Sequence, residues 1–222
     1  MNAFICNNNM HALTSALFIL FTCLAGVSIS QNTAKQDVRR FKGVFTLGLN
    51  ASQIEGDGFA GYNRLGVVGG AGALYRFNNP KFSFSMEINY SMKGSQTSFR
   101  PNVIYPSRKI ALHYAELPLL FNFHERDRAI FSLGFTYGQR VYSKETGLDG
   151  NGAPIAPNPN ESHIRKSDYA VMGSVVFIFK KKYGINLRGS YSFIPALRYP
   201  STGGEYVNWH NNVLSLRAFY IL

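Results

Sequence analysis

The sequence predicts an all-β fold: an eight-stranded antiparallel up-and-down transmembrane β-barrel with short periplasmic turns and long external loops. Three observations predict it. Apolar and polar residues alternate over runs longer than an ordinary strand, about eight such runs fill the chain, and the connections between them alternate long and short. A strand points successive side chains to opposite faces, so each run has one apolar and one polar face. Crossing a bilayer takes about 9–11 tilted residues, whereas globular strands average about 5–6.

The first run sets Phe45, Leu47, Leu49 and Ala51 against Thr46, Gly48 and Asn50. The second sets Leu65, Val67, Gly69, Ala71, Ala73 and Tyr75 against Gly66, Gly70, Gly72 and Arg76. Lys81 to Gly94 is the clearest, with Phe82, Phe84, Met86, Ile88 and Tyr90 predicted to face lipid and Ser83, Ser85, Glu87, Asn89 and Ser91 on the other side. The fourth, Ile110 to Phe123, changes phase: Ile110, Leu112 and Tyr114 are even-numbered, while Leu117, Leu119, Phe121 and Phe123 are odd. A bulge near Ala115-Glu116 would absorb the extra residue and point Glu116 inward, and the nearby Pro118 cannot donate to a ladder. The fifth run sets Phe131, Leu133, Phe135 and Tyr137 against Ser132, Gly134, Thr136 and Gly138. Tyr169 to Phe179 is apolar on both faces, leaving its phase open. Ile185 to Phe193 and Leu214 to Leu222 complete the set, carrying Arg188 and Arg217 on their polar faces.

Long connections (Ser52 to Asn63, Ser95 to Arg108, Tyr142 to Ser167, Pro195 to Trp209) interleave with short ones at Asn78-Asn79-Pro80, His124 to Arg128 and Lys180 to Lys182. This is the asymmetry of outer-membrane barrels, and it places both termini on the periplasmic side. Ala12 to Ile29 is apolar or small and precedes a polar, charged stretch, the pattern of a secretory signal peptide. The expected organisation is a signal peptide at 1–30, a periplasmic segment at 31–41 and the barrel at 42–222. Both cysteines, Cys6 and Cys23, would leave with the signal, so disulfides and cysteine zinc sites are excluded from the mature chain. Thr22 before Cys23 is the wrong residue for a lipoprotein signal. The mean hydropathy of −0.09 agrees with a barrel, in which only alternate strand residues are apolar.

The formal net charge is +11, and no charged residue lies in residues 1–30. The cations are spread through turns, loops and polar faces without a basic helix or aromatic stacking motif, so no nucleic-acid partner is expected. Arg100, Arg108, Lys109, Arg165 and Lys166 lie towards the external rim and suit anionic lipid headgroups or lipopolysaccharide phosphates.

Counted up from the short turns, Glu87, Glu116, Arg188 and Arg217 reach similar mid-barrel heights, with Arg76 lower and Lys93 and Arg140 higher. The interior of an eight-stranded barrel is just filled by side chains, so these four are expected to form an ion-pair network that plugs the lumen. Some barrels of this size are lipid A deacylases or acyltransferases, which need a Ser and a His near the bilayer rim. His113 with Ser107 is the nearest approach, against His124 in a turn and His163 in a loop, and no catalytic assignment results. Glu55-Gly56-Asp57-Gly58 and Asp149-Gly150-Asn151-Gly152 lack the spaced ligands of a calcium loop and read as turns; no metal or cofactor is expected.

The segments G-L-N-A-S-Q-I-E-G-D-G-F-A-G-Y-N-R-L-G (Gly48 to Gly66), E-I-N-Y-S-M-K-G-S (Glu87 to Ser95), Y-A-E-L-P-L-L (Tyr114 to Leu120) and N-N-V-L-S-L (Asn211 to Leu216) resemble the PorT-like small outer-membrane β-barrel proteins of Bacteroidota. The resemblance covers the mature chain and implies an outer-membrane location in a Gram-negative bacterium, with the barrel-insertion machinery and outer-membrane lipid as partners. Leu222 departs from the terminal aromatic that is commoner in inserted barrels. One branch of the family is linked to secretion and gliding machinery. The expectation is a non-enzymatic structural or interaction protein that meets a protein partner through loops or turns. The alternatives are a secretion or gliding accessory and, in another class, a lipid A-modifying enzyme. A soluble lipocalin-like barrel is disfavoured because its apolar face would line the inside.

Overall fold

Eight long antiparallel strands close on themselves: β1 (Phe41–Glu55), β2 (Arg64–Arg76), β3 (Phe82–Gln96), β4 (Arg108–Glu125), β5 (Ala129–Gly147), β6 (Ser167–Phe179), β7 (Tyr183–Ser192) and β9 (Tyr206–Ile221). Each pairs with the next, β7 pairs with β9, and β9 pairs with β1 from Val44↔Ile221 to Glu55↔His210. Closure leaves no sheet edge within the barrel wall. A short β8 (Leu197–Pro200) lies in the connection before β9 and pairs only with its first residues, from Leu197↔Trp209 to Pro200↔Tyr206. The computed structural model describes residues 40–56, 61–97, 108–126, 128–148, 154, 164–180, 182–200 and 206–222. The signal peptide expected at 1–30, both cysteines and most of the 31–41 segment lie outside the described residues. No helix among the described residues is long and apolar enough to cross a membrane.

Period-two alternation governs every barrel strand. On β3, Phe84, Met86, Ile88 and Tyr90 are exposed on the outer surface and Phe82 is half-buried, while Ser83, Ser85, Glu87, Asn89, Ser91 and Lys93 are buried inside. The strand of open phase, β6, turns Tyr169, Val171 and Phe177 outward and Asp168, Ala170, Met172, Ser174 and Val176 inward. Aromatic rings collect at two levels outside. Near the short turns, Phe41 meets Tyr75 at 4.8 Å and Phe82 meets Phe121 at 5.5 Å; towards the long loops, His113 meets Tyr142 at 4.8 Å and Tyr137 meets Tyr169 at 5.3 Å. From Phe82 to Tyr90 is about 20 Å at the rise of a tilted strand, close to the apolar band of an outer-membrane barrel.

The predicted bulge is corrected. β3 and β4 keep one register from Phe82↔Phe123 to Gln96↔Lys109, and β4 alternates unbroken, with Ile110, Leu112, Tyr114, Glu116, Leu120 and Asn122 all buried. The irregularity is on β5: His113 pairs with Tyr142 and Tyr114 with Arg140, leaving Val141 as the extra residue. What changes along β4 is the surroundings of its inner face. Ile110, Leu112 and Tyr114 do not turn out to lipid; they pack with Ile54, Ala196, Leu197 and Trp209 in an apolar layer inside the long-loop end. A second apolar layer of Val44, Leu74, Ile130, Val176, Phe219 and Ile221 fills the short-turn end. The buried charges of Glu87, Lys93, Glu116, Arg188 and Arg217 lie between these two layers.

Candidate functional site

Small residues opposite large ones make room for the charges of the lumen. Gly48 pairs with Arg217 and Gly72 with Glu87 across adjacent strands. A Cβ on Gly48 would sit 2.9 Å from Arg217 Cγ, and one on Gly72 2.9 Å from Glu87 Cγ, so these inward positions admit no side chain without a shift. Gly72 of β2 thereby makes room for the arm of Glu87 on β3, and Gly48 of β1 for that of Arg217 on β9, to cross the interior.

Two clusters result. In the first, Arg188 grips Glu87 with both ends of its guanidinium, Nη1 donating to Oε2 at 3.0 Å and Nη2 to Oε1 at 2.7 Å. Arg217 Nη1 donates to the same Oε2 at 3.3 Å and its Nε to Asn186 Oδ1 at 2.9 Å, while Asn89 donates to Glu87 at 2.9 Å. In the second, Lys93 Nζ lies 2.6 Å from Glu116 and 3.1 Å from Asp168. Asp168 also accepts from Ser192 Oγ and from Asn211 Nδ2, and the Lys93 ammonium stands 5.2 Å from the centre of the Tyr114 ring. The first cluster carries one carboxylate and two guanidiniums, the second one ammonium and two carboxylates. Their excess charges are opposite, so together they are neutral. Fork-shaped, charge-assisted bonds of this kind compensate the loss of water, which is what a buried ion pair requires.

Of the four residues expected to meet, Glu87, Arg188 and Arg217 are in direct contact, while Glu116 is held by Lys93, which the sequence places higher. Asp168 escaped the sequence reading because it opens an apolar strand. Register could have found it: Glu116 pairs with Gly138 and Gly138 with Asp168, so the two carboxylates flank one glycine on the same row.

Catalytic constellations fare differently. His113 faces outward, its Nδ1 2.7 Å from Tyr90 Oη, with the Tyr142 ring against it. Its proposed companion Ser107 lies outside the described residues, as do His163, Asp57-Gly58 and Asp149 to Gly152. A Ser–His contact that the sequence did not suggest joins Ser83 Oγ to His124 Nε2 at 2.7 Å across β3 and β4, with Asn122 donating to the same hydroxyl at 3.1 Å. Ser83 is 0% exposed and His124 6%, so the pair is sealed from substrate and acts as lumen packing. Among the described residues no group of three acidic, His or Cys side chains could hold a metal ion.

A family model described as outer membrane protein beta-barrel domain matches residues 29–198. Among solved structures, the fold is similar to Ail, the attachment invasion locus protein of Yersinia pestis, at TM-score 0.46 and 13% identity over 82% of this chain and 98% of that one. It is also similar to Neisserial surface protein A, at TM-score 0.43 and 12% identity over 81% of this chain and 96% of that one. No curated protein matches the chain.

Proposed function

Because the chain belongs to the outer membrane protein beta-barrel domain family and resides in the outer membrane, we propose that it is an interaction protein, a filled barrel that holds a strand ribbon out to a protein partner. The observation that carries this reading is the mismatch in strand pairing around β5. β4 and β5 stay paired up to Arg108↔Gly147, whereas β5 and β6 part at Gln139↔Ser167. β6 leaves because its leading residues turn to β8, with Ile164 bridging to Leu197 and Arg165 N donating to Ala196 O. Beyond that point β4 and β5 run on as a two-stranded ribbon, on which Val141, Tyr142, Ser143, Lys144 and Thr146 are exposed. An exposed strand ribbon rich in β-branched and aromatic residues offers a protein partner apolar side chains and strand backbone to dock on. The layered lumen supports the same reading, since a side-chain-filled interior serves anchoring and leaves no conduit.

In finer detail, the resemblance of Gly48 to Gly66 and Tyr114 to Leu120 supports a PorT-like barrel, for which a secretion or gliding accessory is the specific form of an interaction role. The outer belt at Phe84, Met86, Ile88 and Tyr90 serves as the lipid-facing surface, and residues 1–30 as the signal that directs export. Lipid and lipopolysaccharide at the outer rim and the insertion machinery complete the partners. An acyl-transfer enzyme needs a nucleophile open to lipid, and no described serine sits in that position beside a histidine.

A photo-crosslinking residue placed at Lys144 in living cells tests the partner reading, with Leu133 on the outer belt as the comparison. A discrete protein adduct at Lys144 and none at Leu133 is expected, identified by mass spectrometry. Equal patterns at both positions, or no adduct at Lys144, overturn it.

A further inference from the structure

The net charge is not spread evenly over the molecule. Among the described residues of the short-turn end (Arg40 to Lys42, Arg76 to Lys81, Glu125, Arg126, Arg128, Lys180 and Lys182) there are 8 Lys and Arg against 1 carboxylate. That end therefore holds most of the total of +11, while the lumen clusters cancel. Arg40, Lys81, Arg126, Arg128, Lys180 and Lys182 are all exposed there. The one described carboxylate among them, Glu125, is already engaged by Arg126 at 3.3 Å. Two of these cations, Arg126 and Lys180, occupy left-handed backbone positions at φ 47° and 48°, where glycine or asparagine is the ordinary choice.

A second observation fixes the level of this charge. Three of the basic sites immediately precede an aromatic of the lower belt in the chain: Arg40 precedes Phe41, Lys81 precedes Phe82 and Lys182 precedes Tyr183. The rings are packed on one another, with Phe41 on Tyr75, Phe82 on Phe121 and Tyr183 on Tyr220 at 5.1 Å. Aromatic belts settle at the edge of the hydrocarbon, and long basic side chains beside them extend into the headgroup layer. We propose that the short-turn end is a collar for the anionic phosphate headgroups of phospholipids in the periplasmic leaflet. It anchors the barrel's lower edge by a ring of dispersed charges rather than by one pocket. The collar depends on membrane insertion alone and stands whether or not the β4–β5 ribbon binds a partner.

The test uses the folded full-length mature chain in phosphatidylcholine vesicles containing a trace of spin-labelled phosphatidylglycerol or phosphatidylcholine. The fraction of each label immobilised by the barrel is read by electron paramagnetic resonance. Wild type should favour phosphatidylglycerol by about threefold or more at low salt, and the preference should shrink as salt rises. The combined variant Arg126→Ser, Arg128→Ser, Lys180→Ser, Lys182→Ser should bring the ratio close to one. Lys109→Ser with Lys144→Ser at the opposite end should retain most of it. Heat-modifiable gel mobility verifies that each variant is folded, and the variant Lys180→Arg with Lys182→Arg should keep the wild-type preference even if the serine variant fails to fold. Equal immobilisation of both lipids by wild type, or an undiminished preference in the folded serine variant, overturns the collar. So does binding of soluble acidic peptidoglycan fragments with no lipid preference.

Discussion

Lys93, near the top of β3, reaches down four positions to place its ammonium 2.6 Å from a carboxylate oxygen of Glu116 on β4, although in the ladder it pairs with Leu112 and Glu116 pairs with Asn89. The same ammonium crosses to Asp168 on β6. Lys93 is thus to its two carboxylates what Glu87 is to its two guanidiniums: one charge shared by two of opposite sign.

This asymmetry predicts unequal costs. Glu87→Gln leaves two guanidiniums facing each other in the interior, and Lys93→Met leaves two carboxylates; each should cost on the order of 3–5 kcal/mol. Arg188→Met leaves Glu87 with Arg217 as a one-to-one pair and should cost about half as much. Urea unfolding of the folded protein in lipid vesicles measures all three. A larger loss for Arg188→Met than for Glu87→Gln contradicts the shared-charge arrangement.

The outer surface predicts a different penalty. Ile88 lies on β3 between the two aromatic levels and is 57% exposed, so Ile88→Arg places a charge near the bilayer midplane at about 2–4 kcal/mol. Ser85 faces inward and accepts from Asn122 Nδ2 at 3.0 Å; Ser85→Ala should lose about 1 kcal/mol, the worth of one such bond. The same unfolding experiment in vesicles compares them, and equal tolerance of both changes counts against a lipid-exposed outer face.

The barrel was legible because period-two alternation is a local signal that survives wherever the inner face is polar, as on β3. It failed where the inner face turns apolar. Leu112 and Tyr114 look like lipid-facing residues when only hydrophobicity is read, yet they belong to the inner cap formed with Leu197 and Trp209, residues far away in sequence. β6 was ambiguous for the same reason, since Ala170, Met172 and Val176 are as apolar as the residues that face out. Height along the barrel was readable by counting, but partners were not. Which carboxylate a cation reaches depends on the length and lean of side chains across the lumen, so Lys93 and Asp168 emerged only in three dimensions.

The orientation of β4 can be mapped chemically. In a background with Cys6→Ser and Cys23→Ser, which leaves no other cysteine in the sequence, single cysteines report their own surroundings. Leu112→Cys, at a position 0% exposed, should resist a water-soluble maleimide in the folded barrel, whereas Lys109→Cys, three residues above, should react within minutes. Both should react after unfolding in urea. Rapid labelling of folded Leu112→Cys would mean that the cap of Ile54, Leu112, Leu197 and Trp209 does not close the long-loop end.

Conductance follows from the stacking of three layers. An ion entering from the short-turn end meets Val44, Leu74, Ile130 and Phe219, which offer it no oxygen; above them stand the Glu87 and Lys93 clusters, and above those the apolar cap. Eight strands leave room for side chains rather than for a water column, and each apolar layer withholds the hydration a permeating ion needs. Purified protein in planar bilayers should therefore show no stable single-channel steps. Replacing both arginines of the first cluster, Arg188→Ala with Arg217→Ala, should still give none, because the apolar layers above and below remain. Regular unitary currents from the wild-type barrel would overturn the filled-lumen account, and currents confined to the double variant would show that the charges alone, without the apolar layers, close the barrel.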